Sequence, residues 1–201
     1  MNIILYVEGD TEEHLPQFFK RWLDQRTSQR VGIKAVNFGG VSKYLQDMPD
    51  RARLALGEAN IIGAVGLIDF FRSTLPYPDG TIEQKYAWAQ THLQTKVGNQ
   101  RFRQHFAVHE TEAWLLSEPD LFPEGIVEGA LKTSRPETIN SQNPPSKRLK
   151  AQYLSKLKQT YQKRTDGAKL FDKLNPDVAY QKCPFLKLLL DDLLELANRQ
   201  A

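Results

Sequence analysis

Short apolar runs alternate along this chain with stretches of helical periodicity, and that alternation constrains the fold more than any other feature. Residues 3–7 (I-I-L-Y-V) and 61–68 (I-I-G-A-V-G-L-I) are near-continuous in apolar and β-branched side chains, a pattern that suits strands buried on both faces. Residues 32–38 (G-I-K-A-V-N-F) read as another strand, ending at Gly39-Gly40, and the alternating residues 103–109 (R-Q-H-F-A-V-H) as a fourth. Leu15, Phe18, Phe19, Trp22 and Leu23 recur at helical spacing and predict an amphipathic helix over 11–25. Residues 41–59 read as helix, continuous or interrupted near Pro49, and Thr81 caps a helix through Val97 with Ile82, Tyr86, Ala89 and Leu93 inward. Beyond the fourth strand come a short helix over 113–117, a loop-rich section to Pro145, and helices over 146–161, 166–174 and 185–198. Strands alternating with helices predict an α/β fold: a mostly parallel, four-stranded sheet with helices on both faces. Residues 1–125 would form the α/β core. Residues 126–201 would be a helical extension packed on it, within one structural unit.

Three of these apolar runs deliver an acid at their carboxyl ends: Glu8, Asp69 and Glu110. In open α/β sheets, ligands bind just outside those ends. After Glu8, Gly9 allows a tight turn. Asp10 or Thr11 can cap the next helix, with Glu12 and Glu13 in its first turn, where the helix dipole favours carboxylates. Carboxylates gathered at one edge repel unless a cation sits between them. Mg²⁺ or Mn²⁺ is the expected occupant, since both prefer oxygen ligands. Such an ion can activate water and clamp phosphodiester oxygens. No Cys/His cluster suggests zinc. Any one acid after a strand is more often a helix cap or a solvated loop residue, and three in register are less easily read that way. Glu110 and Glu112 share a face if the strand continues, and diverge by about 200° if a helix has begun. Glu110 is then the expected ligand, with Glu112 next. His109 is either a proton shuttle or phosphate contact, or a hydrogen-bonded histidine at a strand end.

The set V-E-G-D-T-E-E after the first strand, D-F-F at Asp69, and H-E-T-E-A-W-L-L-S-E-P at 109–119 resembles a TOPRIM-type family of uncharacterised bacterial proteins often found beside ABC-type ATPases. N-P-P-S-K-R-L at 143–149, D-G at 166–167 and K-C-P-F at 182–185 extend the resemblance over nearly the whole chain. It implies a TOPRIM/Rossmann-like fold shared with primases, topoisomerases and the overcoming-lysogenization-defect nucleases. Glu8 would match the first-strand glutamate, Glu12 the second acid of the nuclease branch, and Asp69 the first Asp of D-x-D. Phe71 stands where the second Asp is expected, which removes one potential ligand. The resemblance also implies an ABC-type or SMC-like ATPase partner and a role in antiviral defence.

Between residues 141 and 165 there are seven basic residues and no acid before Asp166: Lys147, Arg148, Lys150, Lys156, Lys158, Lys163 and Arg164. The run is either a phosphate-tracking surface, with Tyr153 and Tyr161 adding stacking, or a solvated helix face. Lys147 and Arg148, with Lys150 nearby, follow Pro144-Pro145 at a helix start and are the expected phosphate contacts. The leucine-rich helix over 185–198 packs on the sheet and a neighbour, or docks a partner or a second copy as a homodimer. Trp88 and Trp114 are expected in the core.

A chain of 201 residues, 40% hydrophobic and 25% charged, can bury a full core, and its net charge of +3 does not by itself name a nucleic-acid partner. The lone Cys183 forms no internal disulfide and suits a reducing, cytoplasmic compartment. No signal peptide or membrane span is expected. The expected function is a metal-dependent nuclease acting on DNA or RNA. Glu8, Asp69, Glu110 and Lys147 would be catalytic, Glu12 and Glu112 would support the metal, and water would be the nucleophile. The alternative is a non-catalytic module that binds nucleic acid or regulates an ATPase.

Overall fold

The computed structural model describes residues 1–9, 12, 14–139 and 142–199. Four strands, β1 (Asn2–Val7), β2 (Gly32–Asn37), β3 (Ile61–Asp69) and β4 (Phe102–Ala107), form one sheet in the order β2-β1-β3-β4. Every pairing is parallel, so the fold is α/β, as the alternation predicts. The chain leaves β1 for β2 on one side and then crosses to β3 on the other. This reversal creates a switch point between the carboxyl ends of β1 and β3, where adjoining loops part and leave a crevice.

Helices cover both faces. On one side lie α1 (Leu15–Asp24) and α8 (Pro184–Asn198), sharing a core with Ile3, Leu5, Val65 and Leu67. On the other lie α2 (Val41–Ala55) and α3 (Ile82–Val97), packed on Tyr6, Ala64 and Ile68. The two glycines inside β3 serve these two layers. A Cβ on Gly63 would come within 2.9 Å of the Leu196 side chain of α8, and one on Gly66 would collide with the Tyr44 hydroxyl and the Gln104 amide. Gly66 thereby leaves room for the buried bond from Tyr44 Oη to Gln104 Oε1, 2.7 Å.

Thr81 caps α3 as expected, in a full capping box with Gln84. Other boundaries moved. The first helix begins at Leu15 rather than at residue 11, because a helix already running there would place Pro16 in its interior, where the ring clashes and no N–H is offered. Starting at Leu15 puts Pro16 in the first turn. Asp10, Thr11 and Glu13, expected to cap and open this helix, lie outside the described residues. Helix α2 runs through Pro49 without a break and stops at Ala55, short of 59. Strand β4 ends at Ala107, so Glu110 stands past the strand and not at its tip.

The C-terminal part consists of α4 (Glu112–Leu115), 3-10 turns, α5 (Pro145–Leu157), a π-helical turn over Lys163–Gly167, α6 (Ala168–Lys173), α7 (Pro176–Lys182) and α8. Helix α7 was not expected. Asn175 caps it through Asp177 N at 2.9 Å, with Pro176 in its first turn. The leucines of α8 divide: Leu186, Leu189, Leu190, Leu193 and Leu196 are buried, whereas Leu188 is exposed. Trp114 is fully buried, and Trp88 only half-buried. Among the described residues no helix is long and apolar enough to cross a membrane.

Glu137 ties this part together. Its buried carboxylate accepts from Trp114 Nε1 (3.0 Å) and from Phe185 N (2.8 Å) and Leu186 N (3.1 Å) in the first turn of α8. Burial pushes its pKa up to about 7 against the pull of those three donors. Glu137→Ala strands all three, and should lower the unfolding free energy by about 2–3 kcal/mol in urea titration. An unchanged midpoint would mean that the anchor carries no net stability.

Candidate functional site

The crevice at the switch point is a cleft of about 640 Å³ lined by Glu8, Gly9, Glu12, Gly39, Gly40, Asp69, Ser146, Lys147, Lys150 and Lys163. Each component arrives for a local reason. Strand β1 ends at Val7 and strand β3 at Asp69, which sets Glu8 and Asp69 at neighbouring strand ends. Glu12 comes from the turn that precedes α1. Gly39 and Gly40 follow β2 with φ of 71° and 144°, values that disfavour any side chain, and so form a wall of bare backbone. Gly40 is also the N-cap of α2, without a side-chain acceptor, so the positive end of that helix opens at the cleft. Ser146, Lys147 and Lys150 come from the first turns of α5.

The acids fall into two groups. Glu8, Glu12 and Asp69 belong to the cleft. Asp69 is held well above the ordinary carboxyl range, by burial foremost and then by the charges of Glu8 and Glu12; Lys163 offsets this only in part. Two neighbouring carboxylates thus make ionisation of a third costly. Glu110 and Glu112 lie behind the cleft, both 3% exposed. Lys163 Nζ donates to Glu110 Oε1 and to Glu112 Oε2, each at 3.0 Å. Ser146 completes the arrangement, its N donating to Glu110 Oε2 and its hydroxyl to Glu110 Oε1, both at 3.0 Å. Glu110 therefore caps the N-terminus of α5 from a distance. Burial alone would push the Glu110 carboxyl up, but Lys163 and the two Ser146 bonds outweigh it and leave it below its ordinary value. For Glu112, burial wins over Lys163 and the carboxyl is raised. The helix starts at Glu112, after Glu110, so helical divergence does not apply and both carboxylates meet one cation, the lysine ammonium.

The basic run is also divided. Lys147 and Lys150 are one helical turn apart on α5 and both reach the cleft. Arg148 is rotated away. Its Nε donates to the Asn143 carbonyl at 2.8 Å, and it lines a separate hollow with Glu128 and Leu131. Lys156 pairs with Glu128 at 3.0 Å. Tyr153 and Tyr161, stacking surfaces under one of the two readings of the basic run, are 8% and 0% exposed and pack edge-on against each other. Their phenol rings complete the core under α5 and offer no face to a ligand. His109 is 6% exposed and stacks on Phe71, ring centroids 4.2 Å apart. Burial lowers its pKa, with Glu110 pulling the other way.

Sequence reasoning did not single out Ser146 or Lys163. The Pro-Pro-Ser helix start could have flagged Ser146 as an anion-capturing N–H. Nothing separates Lys163 from the six other basic residues of its run.

The donors in the cleft fit a hard divalent cation in kind: three carboxylates, two of which raise the proton affinity of the third. Among the described residues, no group of three or more His, Cys, Asp or Glu side chains is placed so that it could hold a metal ion. No curated protein and no solved structure matches the chain. One family does match, over residues 7–194, a span that holds every cleft residue. The chain belongs to the family described as a domain of unknown function, DUF4276.

Proposed function

We propose that this protein is a metal-dependent nuclease, built on a TOPRIM-like α/β core, that cleaves phosphodiester bonds of DNA or RNA. The observation that carries the proposal is the composition of the switch-point cleft. Glu8, Glu12 and Asp69 stand there beside Lys147, Lys150 and Lys163. Glu8 and Glu12 raise the proton affinity of Asp69, a crowding of negative charge that favours a cation, and the adjoining lysines favour an anion. A phosphodiester with Mg²⁺ or Mn²⁺ supplies both. Glu8, Glu12 and Asp69 would hold the ion, which when bound supplies water activation and neutralises phosphate charge.

The chain's own groups do the rest. Lys147 and Lys150 draw the phosphate backbone to the rim. The glycine wall and the positive end of α2 admit a phosphate close to backbone N–H groups. Lys163, fixed by Glu110 and Glu112, presents its charge towards Asp69 and the cleft. Glu110 and Glu112 thus serve as positioning residues for Lys163. Ser146 spends its hydroxyl on Glu110, and Cys183 is buried with its thiol pushed up, so water is the better nucleophile. An ABC-type ATPase partner, a homodimeric state and a role in phage defence extend the same reading and rest on the family resemblance.

Plasmid and RNA cleavage assays with Mg²⁺ and Mn²⁺ test the proposal. Metal-dependent cutting that disappears in Glu8→Ala and Asp69→Ala supports it. Binding without cutting in every metal, with the ATPase present, favours a non-catalytic module, the reading to which Phe71 in place of a second acid points. For binding alone, Lys147→Ala with Lys150→Ala should weaken nucleic-acid affinity across sequences. It should also flatten the log–log salt dependence by about 1.4–1.8 in slope. An unchanged slope would remove these lysines from the interface.

A further inference from the structure

Phe71 is the one aromatic ring among the large exposed hydrophobic side chains of the described residues, 47% exposed where Phe70 beside it is 1% exposed. It lies in the 3-10 turn Phe70–Arg72, two residues beyond Asp69, at the carboxyl edge of the sheet. The ring is not loose. His109 stacks on one face at 4.2 Å and 20°, and Phe70 meets it edge-on at 5.3 Å and 90°. Phe70 is itself set among Tyr77, Tyr86 and Phe106. With His109 stacked on one face, Phe71 still leaves nearly half of its surface open. His109 also connects the ring to the cleft, because the next residue is Glu110, held by the cleft residues Ser146 and Lys163.

A half-exposed aromatic ring, held by His109 and Phe70 and two residues along the chain from the cleft residue Asp69, suits a base whose phosphate sits in that cleft. Every nucleobase has a π-face, so such a platform is tolerant of sequence. Bases inside a duplex are already stacked on their neighbours and cannot use it without being extruded. We propose that Phe71, backed by His109, stacks a nucleobase of single-stranded or unpaired nucleic acid. This rests on the nuclease reading and narrows its substrate to strands with an accessible base.

The test is equilibrium binding in EDTA, which prevents cutting, of single-stranded DNA, single-stranded RNA and a blunt duplex. Each strand carries a fluorescent aminopurine whose emission falls when it stacks. Wild type should bind single strands in preference to the duplex and quench the aminopurine; the tighter of the DNA and RNA strands identifies the backbone. Phe71→Ala and Phe71→Leu should each bind single strands about 5- to 100-fold more weakly and lose the quenching, with duplex affinity unchanged. Phe71→Tyr should retain both. The leucine variant keeps an apolar side chain at this position without a π-face, so it separates stacking from folding, and circular dichroism checks each variant. Single-strand affinity and quenching unchanged in Phe71→Leu would overturn the platform while leaving the nuclease reading intact. Wild type that binds none of the three in EDTA but cuts in Mg²⁺ or Mn²⁺ would overturn the platform and leave the nuclease reading standing, and wild type that neither binds nor cuts would overturn both.

Discussion

Lys163→Met should lower the unfolding free energy by about 3–5 kcal/mol, the cost of removing one partner from a buried ion pair. The pair qualifies as buried: the Glu110 and Glu112 side chains are each 4% exposed and that of Lys163 is 22% exposed. Methionine keeps the length of the side chain and removes its charge, so the loss reports on the two stranded carboxylates and not on a cavity. The sign of the pH dependence follows. Glu110 is held below its ordinary value of 4.5, so its contribution is present above that pH and fades as pH falls through the lower folded value. The gap between wild type and Lys163→Met should therefore narrow in acid. A variant as stable as wild type at neutral pH would show that Lys163 does not carry this corner of the fold. Adding Glu112→Gln to Lys163→Met should restore part of the loss, because one of the stranded charges is gone.

Asp69→Asn should have opposite effects on stability and activity. The side chain is buried beside Glu8 and Glu12, and its folded-state pKa is raised by burial first and by those acids second. The folded state then holds a proton that the unfolded state releases. The stability associated with Asp69 is fully present below the unfolded value near 3.8 and is lost as pH rises through the folded value. Asparagine carries no charge to desolvate, so the variant should be more stable than wild type at pH 7 and no more stable in strong acid. Phosphodiester cleavage should fall by at least about 100-fold, the scale on which even outer-shell partners of a metal matter. A less stable, fully active Asp69→Asn protein would contradict both the electrostatics of the cleft and its proposed chemistry. The combination of higher stability and lost activity is the signature of a residue kept for function at the expense of the fold.

The elements that decide the architecture were legible because their patterns are local. The uninterrupted apolar residues of β1 and β3, the Thr81 cap with Gln84 three residues on, and the Leu15–Leu23 stripe each declare themselves within a few residues. Glu8 and Asp69 were legible as cleft residues because the carboxyl end of a strand has a known address in a parallel sheet. Strand order was not legible, since periodicity says which face is buried and not which strand is the neighbour. Hence the switch point between β1 and β3, which gives the cleft its place, appears only in the structure. Long-range pairing was hidden for the same reason: Glu110 meets Ser146 and Lys163 across 36 and 53 residues. The misreadings have a common origin as well. The phosphate-tracking alternative took Tyr153 and Tyr161 by what phenol rings can do in a basic segment, although a large aromatic ring is more often held inside. Pro16 was passed over within a strong helical stripe, although it limits where α1 can begin.

The cation proposed for Glu8, Glu12 and Asp69 is tested most directly by Mn²⁺ binding followed by electron paramagnetic resonance. Wild type should take up Mn²⁺ saturably, with Mg²⁺ competing, and its melting temperature should rise as either ion is added. Asp69→Asn and Glu8→Gln should show neither effect while remaining folded. Saturable binding that survives in both variants, or none in wild type at any Mn²⁺ concentration that leaves the protein in solution, would contradict the account.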